Sequence, residues 1–194
     1  AGSVDSFDYA DDVVSAKNVL PTHRQLNVTL YFLTSPESPS IDTVWGSSTD
    51  GPVPADFDAD GKADVAVWRS SNHTFYSVNS SNGQSVTVSV GSTGDTPVCA
   101  DYDGDGKANY AVRSGANWII MNAALTAPTT TTPPGDTPSD VPVPNDYDGD
   151  GKVDIATWRD SNGFWSIRQS SNGQPRYVSF GSSGDIPVAA YYRR

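Results

Sequence analysis

Three aspartate-rich segments are the part of this sequence best suited to chemistry. They read DFDADGKAD from Asp56, DYDGDGKAN from Asp101 and DYDGDGKVD from Asp146. In each segment the alternating carboxylates lie on one side of a tight loop, and a glycine permits the sharp turn. Because hard divalent cations prefer oxygen ligands of this kind, the spacing predicts a cation site in each loop.

The predicted ligands occupy equivalent positions in the three loops. Each set contains three alternating Asp side chains, the main-chain carbonyl of a Lys, and an Asp or Asn at the ninth position, where the next strand begins. The sets are Asp56, Asp58, Asp60, Lys62 and Asp64; Asp101, Asp103, Asp105, Lys107 and Asn109; and Asp146, Asp148, Asp150, Lys152 and Asp154. Calcium is expected rather than magnesium, with about three ions in all, because the loops are flexible and rich in oxygen ligands. Asn109 makes the second site the least charged and, by expectation, the weakest.

The same segments could instead be solvated acidic turns in which Lys62, Lys107 and Lys152 act as partial counterions. Carboxylates crowded into one loop repel one another, however, and such crowding persists only if a cation or a raised pKa relieves it. Three divalent ions would offset about half of the formal net charge of -11. Electrostatics therefore favours the metal interpretation.

The three loops belong to an internal repeat. They begin at residues 56, 101 and 146, a constant spacing of 45 residues. Four aspartates with the same 45-residue spacing each stand two positions before a Pro-Val pair: Asp50, Asp95, Asp140 and Asp185. One full repeat divides into four short strands, predicted at residues 52–56, 64–69, 74–79 and 85–90, with the hairpin signal Asn82-Gly83 between the last two. Four antiparallel strands in a repeat of this length are typical of a propeller blade. The predicted fold is therefore an all-β propeller of about four four-stranded blades.

The predicted blades cover residues 1–46 plus 186–194, 47–91, 92–136 and 137–181, within one domain spanning 1–194. Segments 12–15, 27–34 and 41–46 can supply three strands of the first blade, and the C-terminal segment can supply its missing strand and close the ring. The Thr/Pro-rich segment 126–138 is expected to form an irregular outer strand, since proline is tolerated at a sheet edge. A flexible linker is the alternative. The chain is expected to be a monomer, or a dimer that pairs two such arcs into one larger ring.

The loops and the apolar strands that follow them (VAVWR, YAVRS and IATWR) resemble the FG-GAP/VCBS-type repeat over roughly residues 46–194. That family forms propeller blades, including those of integrin α-subunit heads, with calcium in the D-x-D-x-D-G loops. The resemblance implies a calcium-binding propeller. More loosely, it implies an extracellular or cell-surface location and a role in adhesion or carbohydrate binding. Such blades also occur as accessory parts of secreted enzymes, which leaves an accessory domain as a further alternative.

Catalytic signatures are lacking in the sequence. His23 and His73 lie in a predicted loop and turn with no partner indicated by spacing, and no nucleophile elbow, zinc-protease motif or phosphate loop occurs. Cys99 occupies a small position on a strand, which indicates core packing rather than a nucleophile. Most carboxylates that could serve in glycoside hydrolysis are taken by the metal loops. We therefore expect a protein that is not an enzyme.

Composition narrows the choice of partner. A pI near 4.3 argues against binding nucleic acid or anionic membranes, and no apolar run is long enough for a membrane helix. The five tryptophans, Trp45, Trp68, Trp118, Trp158 and Trp165, could stack on sugars or pack between blades. Taken with the resemblance to the FG-GAP/VCBS-type repeat, the sequence predicts an extracellular interaction or adhesion module stabilised by calcium, with a protein or glycan surface as partner. A lectin with repeated sugar sites is the main alternative.

Overall fold

A computed structural model describes residues 15–16, 29–31 and 42–188, with side chains described from residue 45 onward. The chain divides into two compact units, residues 1–48 and 49–194. All regular elements in the described ranges are β-strands. The predicted all-β class is confirmed.

The first unit contains a three-stranded antiparallel sheet. Its strands are β1 (Ser15–Ala16), β2 (Thr29–Tyr31) and β3 (Asp42–Val44), in the order β1-β2-β3. Strands β2 and β3 lie within the predicted segments 27–34 and 41–46, whereas β1 starts at the last residue of the predicted segment 12–15.

The second unit contains three four-stranded antiparallel sheets, one for each aspartate loop. Each is a meander whose strand order follows the chain. The first sheet is β4 (Gly51–Pro52), β5 (Val65–Arg69), β6 (Thr74–Val78) and β7 (Ser85–Ser89); the second is β8 (Thr96–Pro97), β9 (Ala111–Ser114), β10 (Asn117–Met121) and β11 (Pro128–Thr131); the third is β12 (Val141–Pro142), β13 (Ile155–Arg159), β14 (Phe164–Arg168) and β15 (Pro175–Ser179).

Each aspartate loop joins the first and second strands of its sheet. Beyond the short first strand, an isolated bridge pairs the residue before the loop with the ninth position of the loop, as Ala55 with Asp64, Ala100 with Asn109, and Asn145 with Asp154. The loop is therefore closed at its base by antiparallel pairing. This pairing gives the ninth residue a fixed position beneath the three alternating aspartates.

Packing between consecutive sheets forms the core of the second unit. Trp68 and Phe75 of the first sheet pack in one cluster with Tyr110 and Val112 of the second. Between the second and third sheets, Trp118 belongs to a smaller cluster that reaches Ile155. Large buried aromatic side chains of this kind dominate core energetics, so the sheets are held face to face mainly by apolar contact.

The Thr/Pro-rich segment forms an outer strand, as predicted. β11 pairs with β10 alone, through Trp118–Thr131 and Met121–Pro128, and Pro128 begins the strand at the free edge of the sheet. At the other end of the chain, residues 186–188 carry no strand and residues 189–194 lie outside the described residues. The single domain, the blade count, the closure of the first blade and the choice between monomer and dimer stay predictions.

Candidate metal centre

The first aspartate of each loop organises the loop backbone. Asp56 accepts hydrogen bonds from the N–H groups of Ala59 (2.7 Å) and Gly61 (2.9 Å), one on each carboxylate oxygen. Asp101 and Asp146 make the same pair of bonds. The sixth-position glycine has a positive φ in every loop, 83° at Gly61, and this conformation favours glycine. The sequence D-x-D-x-D-G therefore folds its own carboxylates to one side of the loop.

The second and third aspartates continue this pattern. Asp58 accepts a hydrogen bond from the N–H of Asp60 (3.2 Å), and Asp60 accepts one from the N–H of Lys62 (2.8 Å). The other two loops repeat both bonds. An ionised carboxylate has about four lone-pair sites, so these bonds leave capacity for a cation.

The ninth-position side chain lies beneath the loop. Asp64 is fully buried and accepts hydrogen bonds from the N–H groups of Phe57 (2.8 Å) and Ser80 (2.7 Å). Asp154 is equally buried and bonds Tyr147 and Ser170 in the same way. Burial raises the pKa of both carboxyls, and the backbone hydrogen bonds only partly offset it. A bound cation would relieve the cost of keeping these buried carboxylates ionised.

A pair of serines completes the first and third loops. In the first sheet, Ser80 Oγ donates to Asp60 (2.7 Å) and Ser81 Oγ donates to Asp58 (2.6 Å). Ser170 and Ser171 do the same to Asp150 and Asp148. The bond from Ser81 lowers the pKa of Asp58, which keeps that carboxylate ionised. The sequence prediction missed these serines, although the identical pentapeptides at 80–84 and 170–174 signalled a shared role.

The second loop lacks both the buried carboxylate and the serines. Asn109 accepts from the N–H of Tyr102 (2.8 Å), and its amide donates to Asp103 (3.2 Å) and to the carbonyl of Met121 (3.4 Å). Ala123 and Ala124 follow the third strand of this sheet, where the other two sheets have serines. The second loop, which the sequence predicts to be the weakest site, is therefore surrounded by different groups from those around the other two loops.

Carboxylate oxygens converge in all three loops. Groups whose oxygens lie within 4.8 Å of one another are Asp56, Asp58 and Asp64; Asp101, Asp103 and Asp105; and Asp146, Asp148 and Asp154. Of the predicted ligands, Asp60 and Asp150 lie outside these groups and are held by the serines. The donor set consists of oxygen alone, so its chemistry fits a hard cation such as calcium. The carbonyls of Lys62, Lys107 and Lys152 stay predicted ligands.

The lysines are weak counterions where the structure shows a contact. Lys62 Nζ lies 3.9 Å from Asp60, and the Lys62 side chain is 68% exposed. An exposed pair at this distance contributes little to stability. By contrast, the aspartates that precede the Pro-Val pairs include two bidentate partners of arginine, Asp50 with Arg69 and Asp140 with Arg159, both at 2.8 Å. The arginines neutralise those aspartates but not the loops.

The tryptophans, the cysteine and the histidines were the other candidates that the sequence raised for binding or chemistry. Trp68, Trp118 and Trp158 are buried, which favours the core interpretation for these three. Burial raises the pKa of the Cys99 thiol to about 12, so Cys99 is poorly suited to act as a nucleophile. His73, which is half-buried, contacts the hydroxyl of Thr93 at 2.9 Å. His23 lies outside the described residues.

Comparison with family models gave a match over part of the chain. Residues 56–112 match the FG-GAP-like repeat. The match runs from the first aspartate loop through the second loop and into the strand after it, and it confirms the predicted resemblance over this stretch. Neither the curated proteins nor the solved structures gave a match. Among the described residues, no helix is long and apolar enough to span a membrane.

Proposed function

We propose that this chain is a non-enzymatic, calcium-binding β-propeller that acts as an extracellular or cell-surface interaction module. The observation that carries the proposal is the convergence of carboxylate oxygens within 4.8 Å in three equivalent loops. Two of the groups include a fully buried aspartate, Asp64 or Asp154. The FG-GAP-like repeat over residues 56–112 supports the same function.

A ring of about four blades is part of this proposal. Three consecutive sheets already share the same strand order, and apolar side chains join each of them to the next. The sheet β1–β3 has three strands, so a strand from residues 186–194 would bring it to four. Such a strand would cover one open edge of that sheet, so that only the outer edge of each blade would remain exposed.

Calcium acts in this proposal on stability rather than on chemistry. Extracellular modules commonly bind calcium with dissociation constants of about 10⁻⁴–10⁻³ M. A ligand that binds only the folded state stabilises it by about 2.7 kcal/mol per site at one hundred times its dissociation constant. The ion would hold the loop at the base of each sheet and so preserve the surface offered to a protein or glycan partner.

The test is thermal unfolding in EDTA, in calcium and in magnesium. We expect a melting temperature that rises with calcium and rises less with magnesium. Asp58→Ala and Asp148→Ala should remove part of this rise and change little in EDTA. Ser81→Ala is the matched control, because it deletes the hydrogen bond to Asp58 but keeps the carboxylate. Equal losses in EDTA and calcium, together with no calcium by elemental analysis, would refute the metal sites.

The lectin alternative has narrower support. With Trp68, Trp118 and Trp158 buried, Trp45 and Trp165 are the two tryptophans left partly exposed for stacking on a sugar. Trp165 also donates its indole N–H to the carbonyl of Phe180 (2.9 Å). Binding on a glycan array that Trp165→Ala abolishes would favour the lectin over an adhesion module for proteins. An accessory domain of a secreted enzyme would be favoured if the module bound that enzyme's substrate.

A further inference from the structure

We infer that the three loops bind calcium cooperatively, each loop coupled to its neighbour through a hydrogen bond between their main chains. This inference rests on the proposed calcium sites and concerns how they are regulated. The main-chain N–H of Ala108 donates to the carbonyl of Asp56 (2.6 Å), and the N–H of Val153 donates to the carbonyl of Asp101 (2.8 Å). The first loop is thus bonded to the second, and the second to the third.

The positions of these bonds connect the predicted ligands directly. Asp56 and Asp101 are the first ligands of their loops. Ala108 lies between Lys107 and Asn109, both predicted ligands of the second loop, and Val153 lies between the corresponding residues of the third. Each hydrogen bond therefore joins the backbone of a ligand in one loop to the peptide between two ligands in the next.

Side-chain contacts reinforce both connections. Phe57, which follows Asp56, stacks on Tyr110 with ring centroids 4.2 Å apart and an interplanar angle of 6°. Tyr110 directly follows Asn109. At the second connection, the aliphatic part of Lys152 lies over Gly104, so that a Cβ at Gly104 would be 2.9 Å from Lys152 Cγ. Through these contacts, a displacement of one loop would displace the backbone of the next.

The sign of the coupling follows from conformational entropy. A cation in the first loop fixes the backbone of Asp56, and with it the acceptor for the N–H of Ala108. The second loop then loses less conformational freedom when it binds its own ion, which gives positive cooperativity without a new contact. Repulsion between the ions opposes this effect, but it is screened over about 8 Å at physiological salt. Coupling is reciprocal between sites, and it is typically fivefold or more in affinity.

The arrangement predicts a specific pattern, because the second loop has two neighbours and the outer loops have one each. Asp103→Asn in the second loop should weaken calcium binding in both outer loops by about fivefold. Asp58→Asn should weaken binding in the second loop and leave the third nearly unchanged. Asp148→Asn should weaken the second and leave the first nearly unchanged, so either end variant provides the test if the other fails to fold.

Amide NMR of ¹⁵N-labelled protein can follow each loop separately. The N–H groups of Gly61, Gly106 and Gly151 each donate to the first aspartate of their own loop and serve as local reporters during a calcium titration at 0.15 M salt. If no reporter shifts in the unmodified protein, both the calcium sites and the coupling are refuted. If the reporters shift but unaltered loops keep their affinity in every variant, the coupling alone is refuted. Tighter binding after loss of a neighbour, or an equal effect of Asp58→Asn on the second and third loops, would also overturn it.

Discussion

Asn109→Asp should destabilise the protein without calcium and increase the stabilisation that calcium gives. The substitution converts the second loop to the ligand pattern of the other two. In the present structure the Asn109 amide donates to Asp103 (3.2 Å) and to the carbonyl of Met121 (3.4 Å). With a carboxylate, both hydrogen bonds become contacts between oxygens, and Asn109 is only 7% exposed.

The size of the effect can be worked from these contacts. Each lost hydrogen bond costs about 1 kcal/mol. Two unit charges at the Asn109–Asp103 separation would repel by up to about 5 kcal/mol at an effective dielectric constant of 20. Exposure of Asp103 to solvent reduces this term, and protonation of one carboxyl limits it to about 4 kcal/mol at pH 7. The two lost hydrogen bonds and this repulsion together give an expected loss of about 2–6 kcal/mol in EDTA, at about 2–4 °C in melting temperature per kcal/mol for a chain of this size.

Calcium should reverse the deficit, because affinity for calcium increases with the number of charged ligands. The assay is the melting temperature of the unmodified and variant proteins across a calcium titration, where the two curves should converge or cross. Asn82→Asp is the control, since it adds the same charge in an exposed hairpin turn and should change the melting temperature equally in EDTA and in calcium. An equal loss from Asn109→Asp in EDTA and in saturating calcium would mean that the ninth position does not face an ion.

Two further predictions concern groups outside the loops. Because desolvation raises the pKa of the half-buried Cys99 to about 12, its reaction with a thiol reagent at pH 8 should be at least about a hundredfold slower in the folded than in the urea-unfolded protein; comparable rates would contradict the raised pKa. Burial tends to raise the pKa of Asp140, but the hydrogen bonds from Arg159 and Thr137 outweigh it and leave the folded pKa below the ordinary 3.8. Since the unfolded chain then binds more protons, this stabilisation is present above 3.8 and is lost as the pH falls through the lower folded pKa. The free energy of unfolding, measured with urea, should therefore fall more steeply with decreasing pH for the unmodified protein than for Asp140→Asn. Equal slopes would refute this prediction.

The sequence predicted the sheets because each repeat contains its own local signals. Asn82-Gly83 correctly marked one hairpin, and the bonds between Asn79, Gly83 and Gln84 close it as a four-residue loop with a positive φ at Gly83. The 45-residue register also identified the outer strand at Pro128–Thr131 despite a composition typical of a linker. The first strands were predicted too long, at residues 52–56 rather than Gly51–Pro52, because the chain leaves the sheet at Pro54 before the bridge at Ala55. Proline has no N–H to donate to a ladder, but the second sheet is interrupted in the same way at Cys99, so the interruption does not depend on proline.

The candidate site was predicted only in part, because spacing describes one loop at a time. The alternating aspartates and the ninth position could be read directly from D-x-D-x-D-G. The serines come from a turn about twenty residues away, and their bonds to Asp58 and Asp60 depend on how β6 and β7 return to the loop. The bonds from Ala108 to Asp56 and from Val153 to Asp101 use main-chain atoms only. No residue type encodes such bonds, so the proposed coupling between loops could be inferred only from the structure.

The second repeat differs from its neighbours at both ends of its sheet. One difference lowers the charge available for a cation, and the other adds bonds to the next repeat. At the loop end, Asn109 replaces a buried aspartate and so lowers the charge available for a cation. At the other end, Arg113 occupies the position held by Trp68 and Trp158; it is 5% exposed and donates to the carbonyls of Thr137 and Asp140. Those carbonyls belong to the segment that leads into the third sheet. Under the proposed function, the middle repeat would therefore depend less on an ion of its own and more on its bonds to the next repeat.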